Sequence, residues 1–177
     1  MLDLAAALPG SFVVYNGPQC GASAPDHLHL QAGSRDRLPV VREAGRRPGP
    51  ALEAYGMRAL LFRGERARVL GETERSLALL SETTGREGEP WCNVAAWKEA
   101  DGCVLVLYPR SRHRPEAFHT GELKVSPASI DLSGILVAPF PADFERLTGD
   151  DVAAIYGEVT IPEEPFREIV SRLERRG

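Results

Sequence analysis

The chain has 177 residues, of which 43% are hydrophobic and 26% are charged, and its formal net charge is −4 at pH 7. This length and balance fit one globular domain and exclude a disordered or fibrous chain. The acidic balance argues against nucleic-acid binding as the main role, although it is compatible with a local basic pocket for one nucleotide. No apolar run approaches the ~20 residues that span a bilayer, and acidic Asp3 stands where a secretion signal would be basic.

The cysteine pattern indicates a reducing compartment. The three cysteines are an odd number without CxxC spacing, which argues against a disulfide framework or a structural zinc knuckle. We therefore expect a cytoplasmic protein that does not bind membranes.

Short strands and helices alternate along the chain. In order, we predict a helix over 2–8, a strand over 11–16, a loop over 17–26, a strand over 27–31, a loose connection over 33–56, a strand over 57–64, a helix over 72–84, a hairpin of strands 92–99 and 103–110, a strand over 133–140, and helices over 141–147, 150–156 and 162–176. β-Branched and aromatic content marks the strands, and Asp101-Gly102 marks the hairpin turn. Strands mixed with peripheral helices indicate the α+β class.

The chemistry concentrates in YNGPQCGASAPDHLHLQ, residues 15–31. In a strand, successive side chains point to opposite faces, so His27, His29 and Gln31 are expected to share one face while Leu28 and Leu30 enter the core. A neutral imidazole is a competent nucleophile towards phosphorus. The backbone N–H groups of the preceding Gly/Ser loop can bind phosphate oxygens.

HLHLQ resembles the histidine-triad superfamily in its transferase and phosphorylase branch, where a glutamine replaces the third histidine. That branch includes galactose-1-phosphate uridylyltransferase, diadenosine tetraphosphate phosphorylase and GDP-hexose phosphorylases. Asn16, Gly21-Ala22-Ser23 and Pro25 look like its phosphate-binding loop, so the close match covers residues 11–31. A weaker resemblance, over 92–147, is to uncharacterised bacterial relatives. The resemblance implies a histidine-triad-like fold with a mostly antiparallel sheet and peripheral helices.

The resemblance also implies an activity and residue roles. The chain would be a nucleotidyltransferase or nucleotide phosphorylase acting on a nucleoside polyphosphate or nucleotide sugar, with inorganic phosphate or a sugar phosphate as acceptor and no required cofactor. His29 would attack the α-phosphorus and carry the nucleotidyl group, while His27 would hold the imidazole geometry. Gln31 would donate to a phosphate oxygen. The phosphate would also be bound by Asn16, Gly21 and Ser23.

The resemblance further implies a chain like the C-terminal portion of a longer relative. Only about fourteen residues precede the Tyr-Asn-Gly strand end, whereas in this superfamily the base and ribose pocket precedes it. We therefore expect one histidine-triad-like domain divided into 1–32, 33–56 and 57–177. Its strand 11–16 would have a bare edge that either pairs in a homodimer or needs a missing segment.

Other interpretations of these residues stay open. The chain can be a non-catalytic module that binds a nucleotide or phosphate. His27 and His29 can alternatively hold zinc, completed by Asp26, Cys20 or His113. The basic run formed by Arg110, Arg112 and His113 either contacts phosphate or is a solvated loop.

Overall fold

A computed structural model describes residues 1–86 and 88–175. Its strands are β1 (Ser11–Asn16), β2 (Gln31–Ser34), β3 (Ala51–Ala54), β4 (Met57–Gly64), β5 (Cys92–Glu99) and β6 (Gly102–Pro109). Its α-helices are α1 (Leu2–Ala7), α2 (Pro39–Gly45), α3 (Arg66–Thr84), α4 (Glu116–Thr120), α5 (Ser129–Leu132), α6 (Pro141–Arg146), α7 (Gly149–Val159) and α8 (Glu163–Glu174). No helix within these ranges is long and apolar enough to cross a membrane.

The six strands form one antiparallel sheet in the order β2-β1-β5-β6-β4-β3. The sheet and its surrounding helices confirm the α+β prediction. β5 and β6 form the predicted hairpin, in which Glu99 pairs with Gly102 across a two-residue turn. The predicted strands at 11–16 and 57–64 are also confirmed.

Each face of the sheet carries its own apolar core, because side chains alternate along every strand. Leu61, Trp97 and Val106 face one core, which α2, α5 and α7 cover. Leu60, Ala96 and Leu105 face the other, which α1, α3 and α8 cover. The sheet is therefore buried on both faces.

The helix predictions need small corrections. α3 begins at Arg66, earlier than predicted, and ends as expected at Gly85, whose φ of 63° suits a left-handed C-cap. α7 extends to Val159, three residues beyond the prediction. α8 ends at Glu174, and the predicted helix end at Arg176 lies outside the described residues.

The predicted strand over 27–31 is wrong except for its last residue. β2 begins at Gln31, and its ladder with β1 ends at the Val14–Gln31 pair. Beyond that pair, the Tyr15 carbonyl accepts a hydrogen bond from the Ser129 hydroxyl at 2.6 Å. Residues 27–30 are irregular, and Leu28, which was expected in the core, is 78% exposed.

Two further segments differ from the prediction. The connection over 33–56 is not loose, because it contains α2 and β3, with Leu38, Val40 and Ala44 in the core. Residues 133–140 do not form a strand. There the backbone N–H of Val137 bonds to a carboxylate oxygen of Asp131 at 2.8 Å, a side-chain partner that strand patterning cannot reveal.

The expected bare edge at strand 11–16 is also wrong. β1 is an inner strand, paired with β2 on one side and β5 on the other. The short and largely exposed β2 is the outer strand on this side. The reason for expecting dimerisation through β1 is therefore removed.

Candidate functional site

The loop after β1 lines an open cleft of about 380 Å³ at the end of that strand. Asn16 enters it from β1, and Ala22, Asp26 and His27 enter it from the loop. Glu89 comes from the segment before β5. The fold thus brings the predicted phosphate loop, one histidine and a remote carboxylate together.

His29 lies beside this cleft in a defined orientation. Its Nδ1 lies 3.3 Å from the carbonyl oxygen of His27. Since a carbonyl can only accept, Nδ1 carries the hydrogen and Nε2 carries the lone pair. Nε2 lies 3.5 Å from the hydroxyl oxygen of Ser23. The side chain most suited to attack an electrophile is therefore held against the predicted phosphate loop.

His27 occupies a more solvated position. Its Nδ1 donates to a carboxylate oxygen of Asp26 at 3.1 Å, and the two side chains are 62% and 82% exposed. The rings of His27 and His29 are 5.6 Å apart between centroids. The structure brings the two histidines together, as the sequence predicts, although not through a shared strand face.

Asn16 is fixed by a buried hydrogen-bond network. Its Oδ1 accepts from Asn93 Nδ2 at 2.7 Å and from the backbone N–H of Ser129 at 2.9 Å, and it shares the single hydrogen of the Ser129 hydroxyl with the Tyr15 carbonyl. Three donors on one oxygen settle the orientation of the amide. Within the described residues, its Nδ2 has no hydrogen-bond partner, and this nitrogen is not fully buried. This N–H₂ group is the donor that Asn16 presents to the cleft.

Asn93 extends the network beneath the loop. It is fully buried, and its Nδ2 also donates to the carbonyl of Cys20 at 2.7 Å, which ties the loop to β5. Its Oδ1 accepts from Arg110. Neither Asn93 nor Ser129 was predicted from the sequence. A polar residue at the start of an otherwise apolar strand was the signal available for Asn93.

Arg110 is a structural anchor, which corrects its predicted contact with phosphate. Its side chain is 1% exposed. Its five N–H donors reach the Asn93 side chain and four backbone carbonyls, those of Arg112, His113, Pro127 and Val159. No donor is left for a ligand. Burial lowers the pKa of the guanidinium.

The rest of the basic run does not line the cleft. Arg112 forms an exposed ion pair with Glu158 at 2.7 Å. His113 is half-buried, and burial followed by the neighbouring Arg114 lowers its pKa. The run is thus one buried anchor followed by a partly solvated loop.

The remaining predicted phosphate ligands occupy different positions. Gly21 has a φ of 89°, and a Cβ there would lie 2.9 Å from the Cβ of Ala128, so the loop packs closely on the chain before α5. Ser23 is exposed. Gln31 is exposed on β2 and does not line the cleft.

Acidic and phenolic groups set the charge of the cleft. Asp26 and Glu89 both line it, and Glu89 accepts a hydrogen bond from the hydroxyl of Tyr15. Burial, reinforced by Glu89, raises the pKa of Tyr15. Burial also raises the pKa of the Cys20 thiol to about 11, so at neutral pH this cysteine is a protonated, packed residue.

Across residues 1–86 and 88–175, no group of three or more His, Cys, Asp or Glu side chains is arranged to hold a metal.

Comparison with known proteins places the sheet and the loop in context. Residues 1–34 match the family described as a domain of unknown function (DUF4922). The structure is similar to the crystal structure of yeast Ap4A phosphorylase Apa2, with a TM-score of 0.56 and 17% sequence identity over 86% of this chain and 56% of that chain. No curated protein matches the sequence.

The similarity to the yeast structure is a similarity in fold. The family match covers α1, β1, the loop predicted to bind phosphate and the two histidines. This chain spans little more than half the length of the yeast protein.

Proposed function

We propose that the chain is a nucleotidyltransferase or nucleotide phosphorylase in which His29 carries the nucleotidyl group. The observation that carries the proposal is the orientation of His29. Its Nδ1–H is donated to the His27 carbonyl, so the lone pair of Nε2 lies at the phosphate loop. The similarity in fold to an Ap4A phosphorylase supports a nucleotide as substrate.

The proposed reaction has two displacements at one phosphorus. Nε2 of His29 forms a bond to the α-phosphorus of a nucleoside polyphosphate or nucleotide sugar, and the bond from that phosphorus to the leaving phosphate oxygen breaks. An oxygen of inorganic phosphate or a sugar phosphate then attacks the same phosphorus, and the P–N bond breaks. The Nδ1–H bond to the His27 carbonyl stabilises the positive charge that the ring gains in the first step.

The phosphate oxygens would be bound by uncharged donors. Asn16 Nδ2, the Ser23 hydroxyl and the backbone around Gly21 lie at or beside the cleft. Gln31 lies outside this cleft but only two residues after His29, so we assign it to an oxygen of the phosphate carried by His29, because an amide donates over a wide pH range without transferring a proton. The acceptor would therefore be a phosphate in preference to water, and no cofactor would be required.

Three free, buried cysteines support the cytoplasmic location that we propose for this enzyme. Zinc remains a separate proposal for the paired histidines. Of its suggested further ligands, Asp26 already contacts His27, whereas Cys20 is fully buried. Metal analysis of the purified chain tests it.

Labelling of the protein with an α-³²P nucleoside triphosphate or nucleotide sugar tests the proposed function. Acid-labile, base-stable label is expected on the wild type and should be absent from His29→Ala, because the bond is a phosphoramidate. His27→Ala is the matched control, since it removes a neighbouring histidine without removing the nucleophile, and should label more slowly. Full labelling of His29→Ala would refute the role of His29.

Product analysis by phosphorus NMR tests the acceptor. With phosphate in excess, the expected product is a nucleoside diphosphate. Hydrolysis alone would argue against a transferase. A chain that binds nucleotide but never becomes labelled would instead be the non-catalytic module.

A further inference from the structure

A second cleft, of about 430 Å³, is mainly apolar. It is lined by residues of α4 and α5, of the chain between these helices and of the chain between α5 and α6. Its apolar wall is formed by Phe118, Val137, Pro139 and Phe140. Val137 and Phe140 are each 55% exposed. A concave surface with several exposed large apolar side chains is suited to a flat apolar ligand.

Three polar side chains complete the second cleft. Asp131 is 6% exposed, and its two carboxylate oxygens accept the backbone N–H groups of Ala128 at 2.9 Å and Val137 at 2.8 Å. A carboxylate has about four acceptor positions, so further donors can be bound. Lys124 and Ser126 also line the cleft. This combination of an aromatic wall with few polar groups is typical of small-ligand sites.

Cations accompany the aromatic wall. The guanidinium of Arg114 lies 4.1 Å from the ring centroid of Phe118, and the ammonium of Lys124 lies 4.9 Å from it. Lys124 is also held by a 2.8 Å hydrogen bond to the carbonyl of Phe118. These charges favour a ligand that combines an aromatic group with an anionic one.

One short segment separates this cleft from the histidine loop. Ser126 and Asp131 line the second cleft, whereas Ala128 packs on Gly21 and Ser129 bonds to Asn16. The carboxylate of Asp131 accepts the backbone N–H of Ala128 at 2.9 Å, and the Cβ of the same residue packs on Gly21. The two clefts therefore lie on either side of one residue, Ala128.

We propose that the second cleft is the nucleobase subsite of the nucleotide that His29 attacks, with the base stacked on Phe140. The identity of the ligand rests on the proposed function, whereas the subsite itself can be tested by binding alone. In this arrangement the base donates to Asp131, and the phosphate lies at the loop around Gly21 and Ser23.

Calorimetric titration of the full chain with AMP, GMP and ribose 5-phosphate tests this subsite. Phe140→Ala should weaken nucleotide binding at least about five-fold, because a base–aromatic stack contributes about five-fold or more to affinity. Binding of ribose 5-phosphate, which has no base, should stay within about two-fold. Phe140→Trp, which keeps a stacking surface, should restore nucleotide affinity.

Phe144→Ala is the matched control. Phe144 is 73% exposed on α6 and does not line the cleft, so its truncation removes the same apolar area from the surface. The proposal is overturned if Phe140→Ala binds both nucleotides as the wild type does, if Phe144→Ala weakens binding equally, or if the wild type binds neither nucleotide.

Labelling separates this proposal from the proposed function. A nucleotide that binds through Phe140 but never labels His29 would leave the subsite standing and refute the catalytic role. Labelling of His29 that is insensitive to Phe140→Ala at subsaturating nucleotide would refute the subsite alone.

Discussion

The amide of Asn16 has two ends with different tasks, and two substitutions can separate them. Its Oδ1 accepts three hydrogen bonds within the protein, and its Nδ2 is left for the cleft. Asn16→Ala removes both ends. Asn16→Asp keeps acceptor oxygens for the three donors but replaces the cleft donor with a negatively charged acceptor.

The expected loss of stability in Asn16→Ala follows from the donors left unpaired. One hydrogen on Asn93 Nδ2 and the backbone N–H of Ser129 lose their acceptor, whereas the Ser129 hydroxyl can still bond to the Tyr15 carbonyl. Each buried unpaired donor costs about 1–3 kcal/mol, so the free energy of unfolding should fall by about 2–6 kcal/mol. For a chain of this size, Tm should fall by at least about 4 °C.

Asn16→Asp should be more stable than Asn16→Ala and still lose function. Thermal unfolding followed by circular dichroism gives the order of stability. Phosphate titration and nucleotidyl labelling at a temperature where both variants are folded give the effect on the site. If Asn16→Ala unfolds at the wild-type temperature, the network does not support the loop. If Asn16→Asp binds phosphate as the wild type does, Nδ2 is not a phosphate donor.

Three further predictions concern the support of the loop. In urea titrations, Arg110→Met should lower the free energy of unfolding by at least about 3 kcal/mol, because several buried acceptors lose their hydrogen-bond donor. Arg112→Met, which breaks an exposed ion pair, should lower it by less than about 1 kcal/mol. Equal losses would contradict the role of Arg110 as a structural anchor. Gly21→Ala should reduce nucleotidyl labelling and Tm more than Gly10→Ala. Both positions have a positive φ, but only at Gly21 would the added Cβ clash with another side chain. Equal losses would show that backbone strain alone matters. Burial raises the pKa of Cys20 from 9.0 to about 11, so the contribution of its thiol to stability is complete below pH 9 and declines as the pH rises to 11. In urea titrations, the difference in free energy of unfolding between wild type and Cys20→Ala should therefore shrink between pH 9 and pH 11. A difference that stays constant over this interval would argue against the raised pKa.

The sequence predicted the elements whose stabilising contacts are local or follow a simple period. The β5–β6 hairpin is specified by alternating apolar residues around a short turn, and α8 by charges that suit its dipole. The strand predicted over 27–31 failed because its alternation says nothing about a partner. At that point Ser129, more than one hundred residues later, bonds to the Tyr15 carbonyl.

The candidate site shows the same division. The histidines and Asn16 could be found from their motif, and the structure brings them together at one cleft or beside it. Asn93, Ser129 and the burial of Arg110 could not be found, because their roles arise from contacts between remote segments. A basic run has the same composition whether its first arginine faces solvent or lies beneath a loop.

The network that fixes Asn16 also has a kinetic consequence. Its bonds join residues that are 77 and 113 positions apart, and contacts of such long range form only after large chain loops have closed. We therefore expect the site to be complete only after the β1–β5 ladder has formed during refolding. Recovery of phosphate binding should lag behind recovery of helix content, and a chain interrupted between β5 and α5 would hold the histidine motif without a working site.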